Sequence, residues 1–327
     1  ENRRLRLKIG KEADVRHAYS LPPDEEVASV GPIDPEIGLL RLNRETGETL
    51  AVVYNFAVHP ILGVPNGKNT ADITGFASQV IEDMTGDGAI ALFIQGAAGD
   101  VNPIWYKDVD RPRDAKTLGN ILGLSTLEAL GEIHDHDNRE LNTIREMLLL
   151  PRADLSKHIA SLEKEQQEHL QMLKGTTLNL KTFVPLLIKH RLSPEYPTYA
   201  SHRYLHEREA GREDLDLFDE ENRRALNAYI DNIHTMERLT RIQTNINLLK
   251  RHQVRFKAEG KTVEVEVVGL RIGNFVLVTF PGELSVEIGL GIKQRSPHPY
   301  TFVAGVTNGY IYYTPTETQL ENRGNAQ

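Results

Sequence analysis

Residues 50–60 read Leu-Ala-Val-Val-Tyr-Asn-Phe-Ala-Val-His-Pro, and this stretch decides the fold class. Residues 50–58 are nearly all apolar or β-branched, as expected of a strand that is buried on both faces. Pro60 ends the strand because proline has no N–H for the ladder. A second buried strand is predicted at 89–94, and apolar spacing predicts a helix at 73–84. A strand, a helix and a strand in this order indicate an α/β fold.

Further strands are predicted on both sides of this unit. They fall at 37–42, 263–268, 275–280 and 300–306. From about 114 to 255, by contrast, the apolar residues have the spacing of long amphipathic helices. We therefore expect an α/β protein with a mixed β-sheet and flanking helices, interrupted by a long helical insertion. We expect no C-terminal immunoglobulin-like domain in this sequence.

The expected organisation is one discontinuous domain. Residues 1–135 form the first part of the α/β body, 136–255 the helical insertion, and 256–327 the last part of the body. Apolar positions within 219–251 suit a helical hairpin that packs on its own domain, or a helix that pairs with a partner. The second alternative predicts a homo-oligomer formed through the insertion. Because the sequence starts without an initiator methionine, we expect an upstream segment.

Composition excludes several classes of protein. The chain has 38 Lys+Arg against 46 Asp+Glu and a net charge of −8, so a nucleic-acid partner is not expected. It has no cysteine, which excludes disulfides, thiolate nucleophiles and Cys-ligated metals. Any metal would be held by His, Asp, Glu, Tyr or backbone oxygen. The sequence has no apolar run of about 18 residues, the length of a transmembrane helix.

Polar side chains follow three of the predicted strands, at the point where each strand ends. They are His59, Glu283 and the cluster Tyr310, Tyr312 and Tyr313. Because α/β sheets bind ligands beyond the carboxyl ends of their strands, we expect these groups to lie at a site. An imidazole, a carboxylate and a phenolate are suitable zinc ligands. Taken singly, each residue also suits a structural interpretation, in which its polar atoms are satisfied by the protein.

A turn of small residues, Gly96-Ala-Ala-Gly-Asp-Val-Asn-Pro103, follows the second buried strand. Small residues let backbone amides approach a ligand or an oxyanion, although a tight structural turn explains the pattern equally well. His134-Asp-His-Asp137 also resembles a metal site, but its polar surroundings favour a solvated loop. The sequence has no serine-hydrolase elbow, P-loop, dinucleotide fingerprint or His-Glu-x-x-His motif.

Several motifs, in a common order along the chain, resemble those of the neutral/alkaline, non-lysosomal ceramidase family. They are Asn2-Arg3, GPIDPEIGLLR at 31–41, NFAVHP at 55–60, Ala71-Asp72, GDVNP at 99–103, PGE at 281–283 and NGYIYYTPT at 308–316. These motifs lie in the regions 1–130 and 255–327, and the helical middle has no such match.

The resemblance implies a zinc-dependent amidohydrolase that cleaves the N-acyl amide of ceramide or a related lipid with a zinc-activated water. It implies Zn²⁺ bound by His59, Glu283 and Tyr313. It also implies that Arg3, Asn102 and Tyr313 are catalytic and that the substrate is bound by Gly99, Asp100, Asp72 and Tyr310. A secreted or periplasmic location is suggested by the resemblance alone.

The chain departs from the family pattern at three points. The family's His-x-His-Ser-Gly-Pro segment, which supplies another zinc histidine, is absent, and no second tyrosine follows Tyr313 at the family's downstream position. Asn102 stands where the family has serine, and its amide could donate a hydrogen bond to an oxyanion. These departures motivate an alternative function: a non-catalytic, ceramidase-like binding or scaffold protein that uses its helical insertion for assembly.

Overall fold

The computed structural model of the chain describes residues 1–15, 22–63, 68–103, 113–136, 140–192, 209–211 and 214–321. They form two compact units, one of residues 1–150 and 264–327 and one of residues 151–263. The first unit contains mixed β-sheets with flanking helices, and the second is largely helical. The predicted α/β class with a mixed sheet is therefore confirmed.

The strands and helices are numbered in chain order. The strands are β1 (Arg4–Leu7), β2 (Glu12–Asp14), β3 (Val27–Val30), β4 (Gly38–Asn43), β5 (Thr49–Phe56), β6 (Ile90–Gln95), β7 (Leu141–Pro151), β8 (Thr262–Ile272), β9 (Phe275–Thr279), β10 (Glu283–Leu284), β11 (Tyr300–Ala304) and β12 (Tyr313–Thr314). The helices are α1 (Asp72–Thr85), α2 (Ala115–Glu132), α3 (Ser156–Met172), α4 (Leu180–Leu192), α5 (Asp214–Glu259), α6 (Val286–Arg295) and α7 (Glu317–Glu321).

The stretch that decides the fold class forms the centre of a three-stranded sheet. Its strand β5 is antiparallel to β4 and parallel to β6. Alternate residues of β5, Val52 and Tyr54, are buried in a core that they share with Ala77 and Ile81 of α1 and Leu122 of α2. Burial of these apolar side chains holds the two helices on one face of the sheet.

Helices α1 and α2 pack with almost no space between their backbones. A Cβ atom at Gly119 would lie 2.6 Å from the carbonyl oxygen of Ile73, and one at Gly123 would lie 2.9 Å from that of Ala77. Glycine is therefore required at both positions of α2 for this approach. The helix begins at Asp114, whose carboxylate accepts a hydrogen bond from the backbone nitrogen of Lys116 at 2.9 Å.

A second sheet has the strand order β11-β9-β8-β7. In it β9 is parallel to β11 and antiparallel to β8. The buried side chain of Asn55 on β5 links the two sheets, because its Nδ2 donates to the carbonyl oxygens of Ile94 on β6 at 3.0 Å and Val303 on β11 at 2.9 Å. The carboxyl ends of β5, β6, β9 and β11 are thereby fixed relative to one another.

Strand β7 lies in the stretch that the sequence assigned to the helical insertion. Its apolar residues Leu141, Ile144, Met147 and Leu148 have helical spacing, so periodicity indicates a helix there. Pairing with β8 instead makes this segment the edge strand of the four-stranded sheet. The compact helical unit spans residues 151–263, against the expected insertion at 136–255, part of which lies outside the described residues.

In the helical unit, α3 packs antiparallel against the 46-residue helix α5. Apolar side chains on the facing sides, among them Ile159, Ile242 and Ile246, are buried. Arg238 of α5 donates to Glu165 of α3 at 3.0 Å through its Nε. Among the described residues, no helix has both the length and the apolar character needed to cross a bilayer.

Candidate functional site

Three chain segments bring His59, Glu283 and Tyr313 together. His59 follows β5, and the parallel pairing of β10 with β12 places Glu283 directly beside Tyr313. The Nε2 atom of His59 lies 2.8 Å from Oε2 of Glu283 and 3.3 Å from the hydroxyl oxygen of Tyr313. The rings of His59 and Tyr313 stack with centroids 6.1 Å apart. We call these three residues the His59 cluster.

The carbonyl oxygen of Val101 sets the orientation and tautomer of His59. The backbone nitrogen of His59 donates to it at 2.9 Å, and the Nδ1 atom lies 3.1 Å from it. Because a carbonyl oxygen only accepts, Nδ1 must carry a proton. In the neutral ring, Nε2 then presents a lone pair to the carboxylate of Glu283. Two acceptors 2.8 Å apart require a proton or a cation between them.

Glu283 is surrounded by hydrogen-bond donors. Tyr310 donates from its hydroxyl to Oε1, the oxygen that does not face His59. Burial opposes ionisation of Glu283, but hydrogen bonds with Tyr310, Tyr313 and His59 together hold its pKa below the ordinary value. The same hydrogen bond, with burial, raises the pKa of Tyr310. Glu283 is therefore a carboxylate, and Tyr310 holds its proton against it.

Arg3 lies next to Tyr313. Its guanidinium carbon is 5.1 Å from the centre of the Tyr313 ring, and its Nε is 2.9 Å from Oδ1 of Asp14. Burial and the nearby carboxylate of Glu283 raise the pKa of Tyr313, whereas Arg3 acts to lower it. Arg3 thus places a buried positive charge beside the phenol. This charge partly offsets the rise in the pKa of Tyr313 that burial and Glu283 cause.

The turn residues Gly99 and Asp100 contact the protein itself. The backbone nitrogen of Gly99 donates to the carbonyl oxygen of Leu284 at 2.7 Å. A Cβ atom at Gly99 would lie 2.6 Å from the carbonyl oxygen of Glu283. Asp100 is 1% exposed, and its carboxylate accepts from the backbone nitrogen of Val286 at 2.8 Å. These contacts position β10 and α6, whereas the resemblance implied that both residues bind substrate.

Asn102 is buried in the same turn, directly after Val101, whose carbonyl oxygen holds His59. Its backbone exchanges two hydrogen bonds with Glu1, at 2.9 and 2.8 Å. The side-chain Oδ1 is buried and has no hydrogen-bond partner within the described part of the chain. A buried oxygen without a partner is uncommon in folded proteins. The orphan group is an acceptor, whereas the sequence led us to expect a donor to an oxyanion.

Asp72 lies at the start of α1 with a backbone φ of +52°. Its two carboxylate oxygens accept from the backbone nitrogens of Gly63 at 2.6 Å and Ile73 at 2.7 Å. These bonds fix the loop before the helix, and among the described contacts none joins Asp72 to the His59 cluster. In the segment 134–137, which resembles a metal site in sequence, Asp135 pairs with Arg41 at 2.7 Å. Asp137 lies outside the described residues.

The donor atoms of the His59 cluster fit zinc. They are one imidazole nitrogen and two oxygens, and the contact of Nδ1 with a backbone carbonyl is the support that zinc-bound histidines normally have. Among the described residues, no group of three His, Cys, Asp or Glu side chains is able to hold a metal. Among the described residues, a metal at the cluster would have one imidazole and one carboxylate, with Tyr313 as the neighbouring third oxygen.

Sequence reasoning missed two supporting residues. Val101 acts through its backbone oxygen, and nothing in a side-chain pattern marks such a function, although the residue lies in the GDVNP motif. Asp14 pairs with Arg3 across the β1–β2 hairpin, in a segment whose charges gave no distinguishing signal. Val101 supports His59, and Asp14 supports Arg3, which lies beside Tyr313.

Comparisons with known proteins give matches at the level of structure. No protein-family model and no curated protein matches the sequence. The neutral ceramidase from Pseudomonas aeruginosa is 17% identical, with a TM-score of 0.47 over 91% of this chain and 43% of its own. A ceramidase complexed with C2 is 15% identical, with a TM-score of 0.47 over 91% of this chain and 45% of its own. The chain thus spans less than half the length of either protein.

Proposed function

We propose that the chain is a zinc-dependent amidohydrolase that cleaves the N-acyl amide of ceramide or a related lipid. The observation that carries the proposal is the 2.8 Å contact between Nε2 of His59 and Oε2 of Glu283, with the Nδ1 proton committed to Val101. A divalent cation held by His59 and Glu283 would remove the repulsion of two acceptors, as a shared proton does. The motif resemblance supports the choice of substrate class.

The residues of the His59 cluster and Arg3 then each have a defined function in the reaction. Zinc held by these residues would supply Lewis acidity toward a carbonyl oxygen and would lower the pKa of a water molecule. The hydrogen bond to Val101 holds His59 in one rotamer, so its Nε2 lone pair points at Glu283. Glu283 provides the negative charge, and Arg3 offsets the charge of a Tyr313 phenolate. Hydrolysis adds water across the amide C–N bond and releases a carboxylic acid and an amine.

Asn102 is assigned to the nitrogen side of the amide. The buried acceptor Oδ1 of Asn102 has no hydrogen-bond partner among the described residues, so we assign it to a donor on the substrate. A secondary amide carries an N–H that satisfies such an acceptor. The proposed substrate is accordingly an N-acyl amide with a free N–H, as in ceramide.

The test is metal content together with hydrolysis. We expect the full chain to bind about one zinc ion, as a single site of this kind would. His59→Ala should abolish both zinc binding and release of product from a fluorogenic N-acyl sphingosine. His158→Ala, which removes an exposed histidine of α3, should change neither. A full chain that binds no zinc and hydrolyses no N-acyl amide would refute the proposal.

A second candidate is a non-catalytic binding or scaffold protein. It is favoured by the small number of ionisable ligands, since the His59 cluster contains one imidazole and one carboxylate among the described residues. In that case the contact between His59 and Glu283 is an imidazolium–carboxylate ion pair. Binding of N-acyl sphingosine by the full chain with no zinc and no turnover would support this function.

A further inference from the structure

The two carboxylate oxygens of Glu283 have different partners. Oε2 faces Nε2 of His59 at 2.8 Å, whereas Oε1 accepts a hydrogen bond from the hydroxyl of Tyr310. Tyr313 also hydrogen-bonds this carboxylate. Tyr310 is 50% exposed, so its ring stands at the solvent side of the His59 cluster. The resemblance implied a substrate-binding role for Tyr310. Its hydrogen bond indicates instead that Tyr310 holds the carboxylate of Glu283.

The loop that carries Tyr310 is held in an unusual conformation. Val306, Asn308 and Tyr312 have positive φ values of +54°, +61° and +71°. Non-glycine residues rarely adopt this conformation, and they persist in it only where the surrounding structure imposes it. The loop lies between β11 and β12, so these constraints act on the segment that presents both Tyr310 and Tyr313.

Backbone hydrogen bonds attach this loop to the segment of Glu283. The nitrogen of Ile311 donates to the carbonyl oxygen of Pro281 at 2.7 Å, and the nitrogen of Glu283 donates to that of Tyr312 at 3.0 Å. Glycine is needed at position 282, where a Cβ atom would lie 2.9 Å from the Tyr312 oxygen. The fold therefore fixes the loop of Tyr310 relative to the segment of Glu283.

We infer that Tyr310 sets the metal selectivity of the site by restricting Glu283 to one ligating oxygen. The inference rests on the proposed zinc site. A carboxylate binds metals through one oxygen or through both. A hydrogen bond on Oε1 leaves Oε2 as the donor toward the metal. A one-oxygen carboxylate suits four-coordinate zinc, whereas ions that prefer six or more oxygen-rich ligands gain from the second oxygen.

The experiment compares Tyr310→Phe with a matched variant of the same loop. Tyr312→Phe removes a hydroxyl from the neighbouring ring, whose centroid is 5.1 Å from that of Tyr310. Calorimetric titration of the full chain with Zn²⁺ and with Mn²⁺ gives the ratio of the two dissociation constants. We expect Tyr310→Phe to weaken zinc binding by about 10–100-fold, the usual effect of losing a group that supports a ligand.

Manganese binding should be retained or strengthened in Tyr310→Phe, so the preference for zinc over manganese should fall by at least about tenfold. X-ray absorption of the zinc-loaded variant should show one additional oxygen neighbour. Tyr312→Phe should keep the preference for zinc over manganese that the unaltered chain has. These results together would support a selectivity function, which a purely mechanical support of Glu283 does not predict.

Three outcomes would overturn the inference. Equal weakening of zinc and manganese binding would show that Tyr310 only steadies the Glu283 side chain. Unchanged affinities in Tyr310→Phe, with zinc bound normally by the unaltered chain, would remove Tyr310 from the site and leave the proposed function intact. An unaltered chain that binds neither ion would refute the proposed function, and the inference with it.

Discussion

Asp100→Asn tests whether the turn at 99–103 holds the site together. The Asp100 carboxylate is 1% exposed and accepts from the backbone nitrogen of Val286 at 2.8 Å, at the N-terminus of α6. Its other oxygen lies 3.3 Å from Nδ2 of Asn2 and 3.4 Å from Nε of Arg4. An asparagine keeps one acceptor oxygen, but it places an NH₂ group against donors and removes the charge opposite Arg4.

The expected cost follows from these contacts. Breaking a buried ion pair by removing one partner costs about 3–5 kcal/mol, because the other charge stays uncompensated. The Arg4 side chain is 16% exposed and retains some solvent, so the lower half of that range applies to the pair. Weakening the carboxylate contact at the start of α6 adds about 1 kcal/mol. We expect the free energy of unfolding to fall by about 4–5 kcal/mol in total.

Asp135→Asn is the matched control. Asp135 also pairs with an arginine, at 2.7 Å from Arg41, but its side chain is 66% exposed. An exposed ion pair contributes about 0–1 kcal/mol. Urea unfolding of both variants, followed by circular dichroism, gives the two differences. Equal losses of stability in the two variants would refute the view that Asp100 is a buried anchor.

Two further predictions concern the same turn. Gly99→Ala should destabilise the protein by about 1–3 kcal/mol, because its Cβ would meet the carbonyl oxygen of Glu283 at 2.6 Å. Gly131→Ala, at an open position in α2, should be neutral or stabilising by up to about 1 kcal/mol, and urea midpoints that place the two variants level would contradict this. Asn102→Ala should reduce the preference for a secondary amide over its N-methyl counterpart by about tenfold, the worth of one hydrogen bond. A preference that survives in relative kcat/KM values would remove Asn102 from recognition of the amide N–H.

The fold was predictable where burial and periodicity agree. Residues 50–58 are nearly all apolar or β-branched, and most of them lie in β5 (Thr49–Phe56) at the centre of its sheet. Strand β7 was not predictable from period alone, because the apolar residues between Leu141 and Leu148 match a helix. Pairing with β8, which follows it by more than a hundred residues, decides its conformation. Local patterns do not contain such long-range pairing.

The members of the site could be predicted more completely than their contacts. The rule that ligand groups collect beyond strand ends places His59, Glu283 and Tyr313 in one region. The hydrogen bond from Tyr310 to Glu283 depends instead on a loop with several left-handed residues. Asp100 shows the converse difficulty, because its motif marks it as important without distinguishing substrate contact from burial. Only the structure reveals that its carboxylate is occupied by the protein.

The turn at 99–103 explains how two distant parts of the sequence form one site. Three consecutive residues bond to the elements on either side: Gly99 to Leu284, Asp100 to Val286 and Val101 to His59. The separation of His59 from Glu283 is therefore set by backbone and carboxylate hydrogen bonds within the fold. In small zinc domains, by contrast, metal binding supplies the folding energy. Because the fold itself positions His59 and Glu283, the ordering cost is met during folding, and under the proposed function the binding energy of a metal would remain available for affinity and selectivity.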